Sequence, residues 1–186
     1  MHNVLPKAFV FLDKYNSQIF KNNNITIGVI YRNYTKKEKK KELIKIANAC
    51  KKNRNPLFVS NNIKLAIKVK AAGIYVPSFN KTKRFTNLGK KIQIIGSAHN
   101  QKEIQEKITQ NCSAILLSPV FYMKKAKKYL GLHKFNYLSH NNNIDIFALG
   151  GVSEINFRKL KLLNIKGFGG IRLFKKKPAF LKGRFF

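Results

Sequence analysis

The chain has 186 residues, 44% of them hydrophobic, and carries 38 basic against 7 acidic residues, a formal charge of +31. This length and composition predict one globular domain with a substantial core. They argue against a membrane protein, because no stretch approaches the roughly 20 apolar residues of a membrane span, and against a secretory signal, because Asp13 interrupts the short apolar run near the N-terminus.

Eight short apolar runs alternate with amphipathic, lysine-rich segments and are predicted to be strands. Most are apolar on both faces, as are the strands of a parallel sheet covered by helices. Eight such strands with intervening helices favour an α/β fold, the closed (β/α)8 barrel, over residues 1–174, followed by a basic and aromatic tail at 175–186. In chain order the strands are 8–12, 25–31, 56–60, 73–77, 91–96, 113–118, 144–150 and 167–174.

Capping residues mark where the helices between these strands begin. Each is a Ser, Thr or Asn whose side chain can accept a hydrogen bond from the first helical turn. Thr35 is followed by Glu38 at the spacing of a capping box. The expected N-caps are Thr35, Asn61 or Asn62, Asn100 and Ser153.

The connections after strands 1 and 8 are expected to hold only reduced helices. The first is short, and Pro178 and Gly183 interrupt the second. These two connections are neighbours in a closed barrel, so the outer faces of strands 1 and 8 are expected to have a thin helical cover. We expect the aromatic tail or a second subunit to cover this seam.

The excess of basic residues and the two cysteines say little about function. The lysines lie on nearly every predicted helix and loop, and Lys, Asn, Ile and Phe all have A- and T-rich codons, so we attribute most of the charge to genome composition. Non-specific, salt-sensitive binding to nucleic acid is the alternative. Cys50 and Cys112 match neither a disulfide framework nor a metal-ligand spacing, which suits a cytoplasmic protein.

Two glycine pairs, Gly150–Gly151 and Gly169–Gly170, end the last two predicted strands. In such barrels the loops after strands 7 and 8 often bind phosphate through backbone N–H groups. Gly151 also leads to the N-terminus of the helix predicted after strand 7, where free N–H groups favour an anion. The glycines therefore indicate either a phosphate site or tight packing without a ligand.

Five segments occur in an order and at a spacing that resemble a known family. They are NPLFVSNNIKLAIKVKAAGIYV, IIGSAHNQKEI, SAILLSPVF, ALGGV and GFGGI. Together they resemble the thiamine-phosphate synthase and thiazole tautomerase family, a (β/α)8 barrel, over residues 8–174. The tautomerase activity fits less well, because Pro119 stands where that branch has its active-site histidine.

The resemblance implies an activity and a site. The activity is coupling of hydroxymethylpyrimidine diphosphate to a thiazole phosphate with release of pyrophosphate, by a monomer or a homodimer. Arg32 matches the strand-2 arginine that binds the diphosphate, and Ser97 and His99 fall in the family's Ser-x-His loop. Arg32 and Ser97 are assigned as catalytic, and Asn61 and His99 to substrate binding. His99 is expected to be a hydrogen-bonded structural residue rather than a general base. The thiazole phosphate positions correspond to Gly150, Gly151, Gly169 and Gly170.

The chain departs from the family where the family binds magnesium. The aspartate after strand 3 is Asn61 here, and the one after strand 4 is Asn80 or is absent. Magnesium prefers carboxylates, so we expect its binding to be weakened, and no metal ligand is assigned. Basic residues near the loops after strands 6 and 8 are candidates to supply the missing charge. Besides Lys128 they are Lys124 and Lys125, assigned as catalytic, and Lys127 and Arg172, assigned to substrate binding.

Three functions are compatible with this sequence. The first is a thiamine-phosphate synthase that depends little on metal. The second is a non-catalytic relative that binds a phosphorylated pyrimidine, thiazole or product. The third is a nucleic-acid-binding protein that uses its charge and the tail at 175–186, although the positive residues are spread out rather than clustered.

Overall fold

The computed structural model describes residues 4–21, 26–33, 39–86, 88, 92–124, 126, 128–171 and 173–174. Eight parallel strands pair in chain order, and the last pairs with the first, so the sheet closes into a barrel. The predicted (β/α)8 barrel is therefore confirmed. The strands are β1 (Ala8–Leu12), β2 (Ile27–Tyr31), β3 (Leu57–Ser60), β4 (Gly73–Val76), β5 (Gln93–Ala98), β6 (Ala114–Leu117), β7 (Asp145–Leu149) and β8 (Gly167–Gly170).

Helices connect the strands and pack on the outside of the barrel. They are α1 (Ser17–Phe20), α2 (Lys39–Lys52), α3 (Ile63–Lys68), α4 (Gln101–Thr109), α5 (Gly131–His140) and the 3₁₀ helix Phe157–Leu162. The four-residue α1 confirms that the first helix is reduced. None of the helices in the described part of the chain is long and apolar enough to cross a membrane.

Two of the expected caps are confirmed and one is wrong. Asn62 accepts a hydrogen bond from the Leu65 N–H at 2.9 Å, and Asn100 accepts one from the Glu103 N–H at 3.0 Å. The cap expected at Thr35 lies outside the described residues. Ser153 does not cap a helix, since the 3₁₀ helix after β7 begins only at Phe157.

The barrel interior is filled by aromatic rings that rely on glycines in neighbouring strands. A Cβ atom on Gly28 would overlap the Phe9 ring, and one on Gly73 would lie 2.6 Å from the Phe58 ring. Glycine at these positions therefore makes room for the bulky rings. The interior cluster consists of Phe9, Phe11, Ile30, Phe58, Tyr75, Ile95, Ala114, Leu116 and Phe147.

The outer face of β1 is buried despite the reduced first helix. Ala8, Val10 and Leu12 are at most 2% exposed and belong to one apolar cluster with Phe20 and Phe174. Residues 175–186 lie outside the described residues. Covering of this seam by the tail or by a second subunit therefore stays a prediction.

The two buried thiols are expected to make the protein less stable at alkaline pH. Burial raises the pKa of both Cys50 and Cys112 from 9.0 to about 12. Between about pH 9 and pH 12 the unfolded thiols ionise while the folded thiols stay protonated, so the free energy of unfolding falls as pH rises. Each thiol should lower it by about 1.4 kcal/mol per pH unit.

Urea denaturation at several pH values across the lower part of this window measures the effect. Replacing both cysteines by alanine should flatten the decline, although the two cavities lower the stability at every pH. Equal slopes for the native chain and the double variant would contradict this assignment.

Candidate active site

Arg32 lies at the carboxyl end of the barrel, directly after β2. Its guanidinium carbon is 5.0 Å from the centre of the Phe11 ring, and its backbone N–H donates to the Leu12 carbonyl at 2.8 Å. Phe11 packs edge-on against Tyr75, with ring centres 5.4 Å apart. The Tyr75 hydroxyl in turn donates to Ser97 Oγ at 2.9 Å. Arg32 and Ser97, which are far apart in the sequence, are thus linked through two interior rings.

Ser97 is 5% exposed at the end of β5. Besides the bond from Tyr75, its Oγ accepts a hydrogen bond from the Ser78 N–H at 3.1 Å. Two donors therefore fix the position of this oxygen, and the hydroxyl proton is left to donate elsewhere. The catalytic role assigned to Ser97 stays a prediction.

Asn61 and Asn80 contact each other directly. Asn80 Nδ2 donates to Asn61 Oδ1 at 2.7 Å, and Asn80 Oδ1 accepts bonds from the Thr82 N–H and hydroxyl at 2.9 and 3.0 Å. Asn61 has a φ of 56°, a left-handed conformation that asparagine tolerates better than most residues. Both side-chain oxygens of the pair are therefore already engaged.

A buried lysine, Lys107, fixes the loop that carries Asn80. Its side chain is fully buried, and Nζ donates to the Asn80 carbonyl at 2.7 Å and to Gln110 Oε1 at 2.8 Å. Gln110 Nε2 donates to the carbonyls of Asn80 and Thr82. Burial lowers the pKa of Lys107. Lys107 was not among the site residues predicted from the sequence, although it lies three residues after the buried Ile104 on the apolar face of α4.

Arg84, on the same loop, was also missed. Its Nη2 donates to the Asn61 carbonyl at 3.1 Å, and its guanidinium carbon lies 5.1 Å from the centre of the Phe85 ring. Phe85 is fully buried and anchors the loop in the core. In the sequence Arg84 is one cation in a run of basic residues, and no periodic pattern distinguishes it from its neighbours.

His99 is held by Glu103 in the first turn of α4. Glu103 Oε2 lies 2.8 Å from His99 Nδ1 and accepts a hydrogen bond from the His99 N–H at 2.8 Å. This is the hydrogen-bonded arrangement expected for a structural residue. The substrate-binding role assigned to His99 stays a prediction.

The lysine-rich loop after β6 is tied at its base to the end of β7. Val120 N–H donates to the Leu149 carbonyl at 2.9 Å, and Phe121 N–H donates to the Gly150 carbonyl at 3.1 Å. Lys124 is exposed within the turn that pairs Met123 with Ala126. Three further residues assigned to the site lie outside the described residues, namely Lys125, Lys127 and Arg172.

Gly150 and Gly151 are required by the packing of the protein itself. Their φ angles are 87° and 74°. A Cβ on Gly150 would lie 2.8 Å from Pro119, and one on Gly151 would lie 2.5 Å from the Phe121 carbonyl oxygen. Tight packing therefore accounts for this glycine pair without a ligand.

Backbone N–H groups beside this pair remain available to an anion. Within the described part of the chain, neither the Gly151 N–H nor the Val152 N–H has a hydrogen-bond acceptor. Asn156 holds this turn, because its Nδ2 donates to the Gly151 carbonyl at 2.8 Å and its Oδ1 accepts from the Ser153 N–H at 2.9 Å. We call residues 151–153 the β7 cradle.

Gly169 and Gly170 serve different purposes in β8. A Cβ on Gly169 would lie 2.7 Å from Leu116, so this glycine leaves space in the barrel interior. A Cβ on Gly170 would make only an ordinary contact of 3.5 Å with Phe174. The phosphate-binding role assigned to both residues stays a prediction.

The sequence and the fold match known proteins consistently. A family model described as thiamine monophosphate synthase matches residues 17–174. The chain belongs to the thiamine monophosphate synthase family. A thiamine-phosphate synthase of Prochlorococcus marinus subsp. pastoris is 34% identical over 129 residues, which cover 67% of this chain and 37% of that protein. The chain thus spans well under half the length of this relative.

Solved structures agree with this membership at the level of the fold. A thiamine phosphate pyrophosphorylase from Pyrococcus furiosus superposes with a TM-score of 0.71 at 17% identity, covering 89% of this chain and 85% of that one. A thiamine phosphate pyrophosphorylase from Bacteroides thetaiotaomicron gives a TM-score of 0.64 at 16% identity, covering 96% and 89%.

In this member of the thiamine monophosphate synthase family, the described residues do not fit a magnesium site. Among them, no group of three or more His, Cys, Asp or Glu side chains is placed to hold a metal ion. Asn61 and Asn80 offer amide oxygens instead of carboxylates, and those oxygens accept hydrogen bonds from the protein. Magnesium is reluctant to lose its water and is usually held through carboxylates.

Proposed function

We propose that the chain is a thiamine-phosphate synthase, which couples hydroxymethylpyrimidine diphosphate to thiazole phosphate and releases pyrophosphate. One observation carries the proposal: a cation and two unbonded backbone N–H groups follow strands of the same barrel. The cation is Arg32 after β2, and the N–H groups belong to the β7 cradle. The barrel belongs to this family. Parallel strands of a closed barrel end on the same face, which is where barrel enzymes hold their substrates.

The reaction separates into two steps with no oxidant or reductant. The bond between the pyrimidine methylene carbon and the diphosphate oxygen breaks, and its electron pair leaves with pyrophosphate. The resulting carbocation is captured by the lone pair of the thiazole nitrogen, which forms the new C–N bond. Catalysis then depends on groups that stabilise the charge on the leaving pyrophosphate and hold the two partners together.

Each part of the reaction has a proposed group in this chain. Arg32 binds the departing diphosphate with the paired N–H donors of its guanidinium. The β7 cradle holds the thiazole phosphate through backbone N–H groups. Lys124 and Lys125 add positive charge from the loop after β6. The asparagine pair does not supply carboxylate ligands for a magnesium ion, so we assign the stabilisation of charge chiefly to these groups.

An assay of the purified chain with both substrates tests the proposal. Thiamine phosphate should form, and it should form at a similar rate with added magnesium and with EDTA. If no thiamine phosphate appears in either condition, the chain is not a synthase. Binding of thiazole phosphate without turnover would then identify the chain as a non-catalytic relative of the synthases. This alternative is favoured by the asparagine pair, which stands where the family has magnesium-binding aspartates.

Asn156 offers a direct test of the β7 cradle. Asn156→Ala removes both hydrogen bonds that shape the turn, so we expect the KM for thiazole phosphate to rise about 10-fold with a smaller change in kcat. Asn136→Ala is the matched control, because Asn136 also bridges two backbone groups, the Leu162 carbonyl and the Asn164 N–H. Equal KM values for thiazole phosphate in the two variants would show that the β7 cradle does not bind this substrate.

A further inference from the structure

We propose that Arg84 binds the diphosphate beside Arg32 and supplies the positive charge that a metal ion would otherwise contribute. This inference rests on the proposed function, since it names a second diphosphate-binding residue of the same site. It starts from the asparagine pair, whose side chains bond to each other at 2.7 Å and leave no carboxylate for a cation.

Arg84 is fixed to that pair. Its Nη2 donates to the carbonyl of Asn61, the residue whose side chain accepts from Asn80. Tyr31 is aligned with Val59 in the sheet, so Arg32 is level with Ser60, the last residue of β3, and Asn61 directly follows that strand. Adjacent strands lie about 4.8 Å apart. The backbone of Arg32 and that of Asn61, which the Arg84 guanidinium contacts, are therefore neighbours at the ends of β2 and β3.

The loop that carries Arg84 is held in place both before and after this residue. Lys107 and Gln110 bind the carbonyls of Asn80 and Thr82 before it, and Phe85 is buried directly after it. The guanidinium also lies against the Phe85 ring. A cation on such an anchored loop loses less conformational freedom on binding a ligand than one on a free loop.

Arg84 has donors to spare for an anion. The guanidinium group carries five N–H donors, and the hydrogen bond to Asn61 uses one of them. The other donors have no acceptor among the residues that the structure describes, and the side chain is exposed. A diphosphate contains two phosphoryl groups with several oxygens, so it can engage both arginines at once.

The test is calorimetric titration with inorganic pyrophosphate in the presence of EDTA. The native chain should bind it, Arg84→Ala should weaken binding by about 10- to 100-fold, and Arg84→Lys should fall between them, because lysine keeps the charge but not the planar fork. Arg54→Asn is the matched control. It removes the same charge before the start of β3, at the opposite end of the barrel, and asparagine accepts the positive φ of 52° at that position.

The outcomes separate this inference from the proposed function. Equal pyrophosphate affinity of Arg84→Ala and Arg54→Asn, or binding by the native chain only with magnesium, would overturn the role of Arg84. If pyrophosphate binding depends on Arg84 but no thiamine phosphate forms, the inference stands and the synthase proposal fails. If thiamine phosphate forms and Arg84→Ala makes it as fast as the native chain does, the synthase stands and the inference fails. If Arg84→Ala does not fold, the pyrophosphate affinity of Arg84→Lys is compared with that of Arg54→Asn instead, and equal values would overturn the role of Arg84.

Discussion

Arg32→Ala is expected to lower kcat/KM for thiamine phosphate formation by about 100-fold or more, the usual effect of removing one donor that stabilises charge in a transition state. The guanidinium group is held above the Phe11 ring at the carboxyl end of the barrel. Its loss leaves the departing pyrophosphate without the charged hydrogen bonds proposed above. Steady-state kinetics with the pyrimidine diphosphate as the varied substrate measures the effect.

Two further variants show whether the effect is specific to this position. Arg32→Lys should recover part of the activity, because it keeps the charge but not the paired donors. Arg54→Asn, which changes the net charge equally at the other end of the barrel, should keep full activity. The contact with Phe11 contributes only about 0.5–1 kcal/mol, so Arg32→Ala should melt within a few degrees of the native chain. If Arg32→Ala has the same kcat/KM as the native chain, Arg32 does not take part in the reaction.

Asn80→Asp is expected to make the stability of the protein depend on divalent cations. In the native chain Asn80 Nδ2 donates to Asn61 Oδ1 at 2.7 Å. A carboxylate has no N–H group, so two oxygens would face each other at that distance. The variant should lose about 1–3 kcal/mol of stability without a cation. Magnesium or calcium should restore it by bridging the two oxygens, with a rise in melting temperature of several degrees.

Asn80→Ala is the control for this experiment. It loses the same hydrogen bond but introduces no carboxylate, so its melting temperature should fall and should not respond to the cation. The double replacement Asn61→Asp with Asn80→Asp should respond more strongly than the single one, because it brings two carboxylates together. If magnesium raises the melting temperature of the native chain as much as that of Asn80→Asp, with ionic strength matched by sodium chloride, the asparagine pair already binds cations and our interpretation of it is wrong.

The strands and their order were predictable from the sequence, because each strand of a covered parallel sheet is itself a short apolar run. β1 was predicted with its exact bounds, 8–12. The end of β8 was predicted too far along the chain, at 174, because the apolar residues Leu173 and Phe174 leave the sheet and pack against its outer side. Apolar character alone does not distinguish a strand from the residues that cover it.

The start of the helix after β7 was predicted incorrectly because Asn156 closes a turn before the helix begins. Ser153 has the right chemistry for an N-cap, but it lies within this turn, where Asn156 accepts from the Ser153 N–H and donates to the Gly151 carbonyl, and the helix begins only at Phe157. The positive φ angles of Gly150 and Gly151 give the turn its shape. Whether a polar side chain caps a helix or closes a turn depends on backbone angles that its residue type does not reveal.

By itself the sequence determined the barrel, the family and the positions of Arg32 and the glycine pairs, because these follow from local hydrophobicity and from motifs that are contiguous in the chain. Only the tertiary structure decided that Asn61 bonds to Asn80, that Lys107 holds the Asn80 loop and that Arg84 reaches the end of β3. These contacts join residues 19 to 27 positions apart. They form only when neighbouring strands of the closed barrel bring their loops to one face, and no local pattern specifies which side chains then meet.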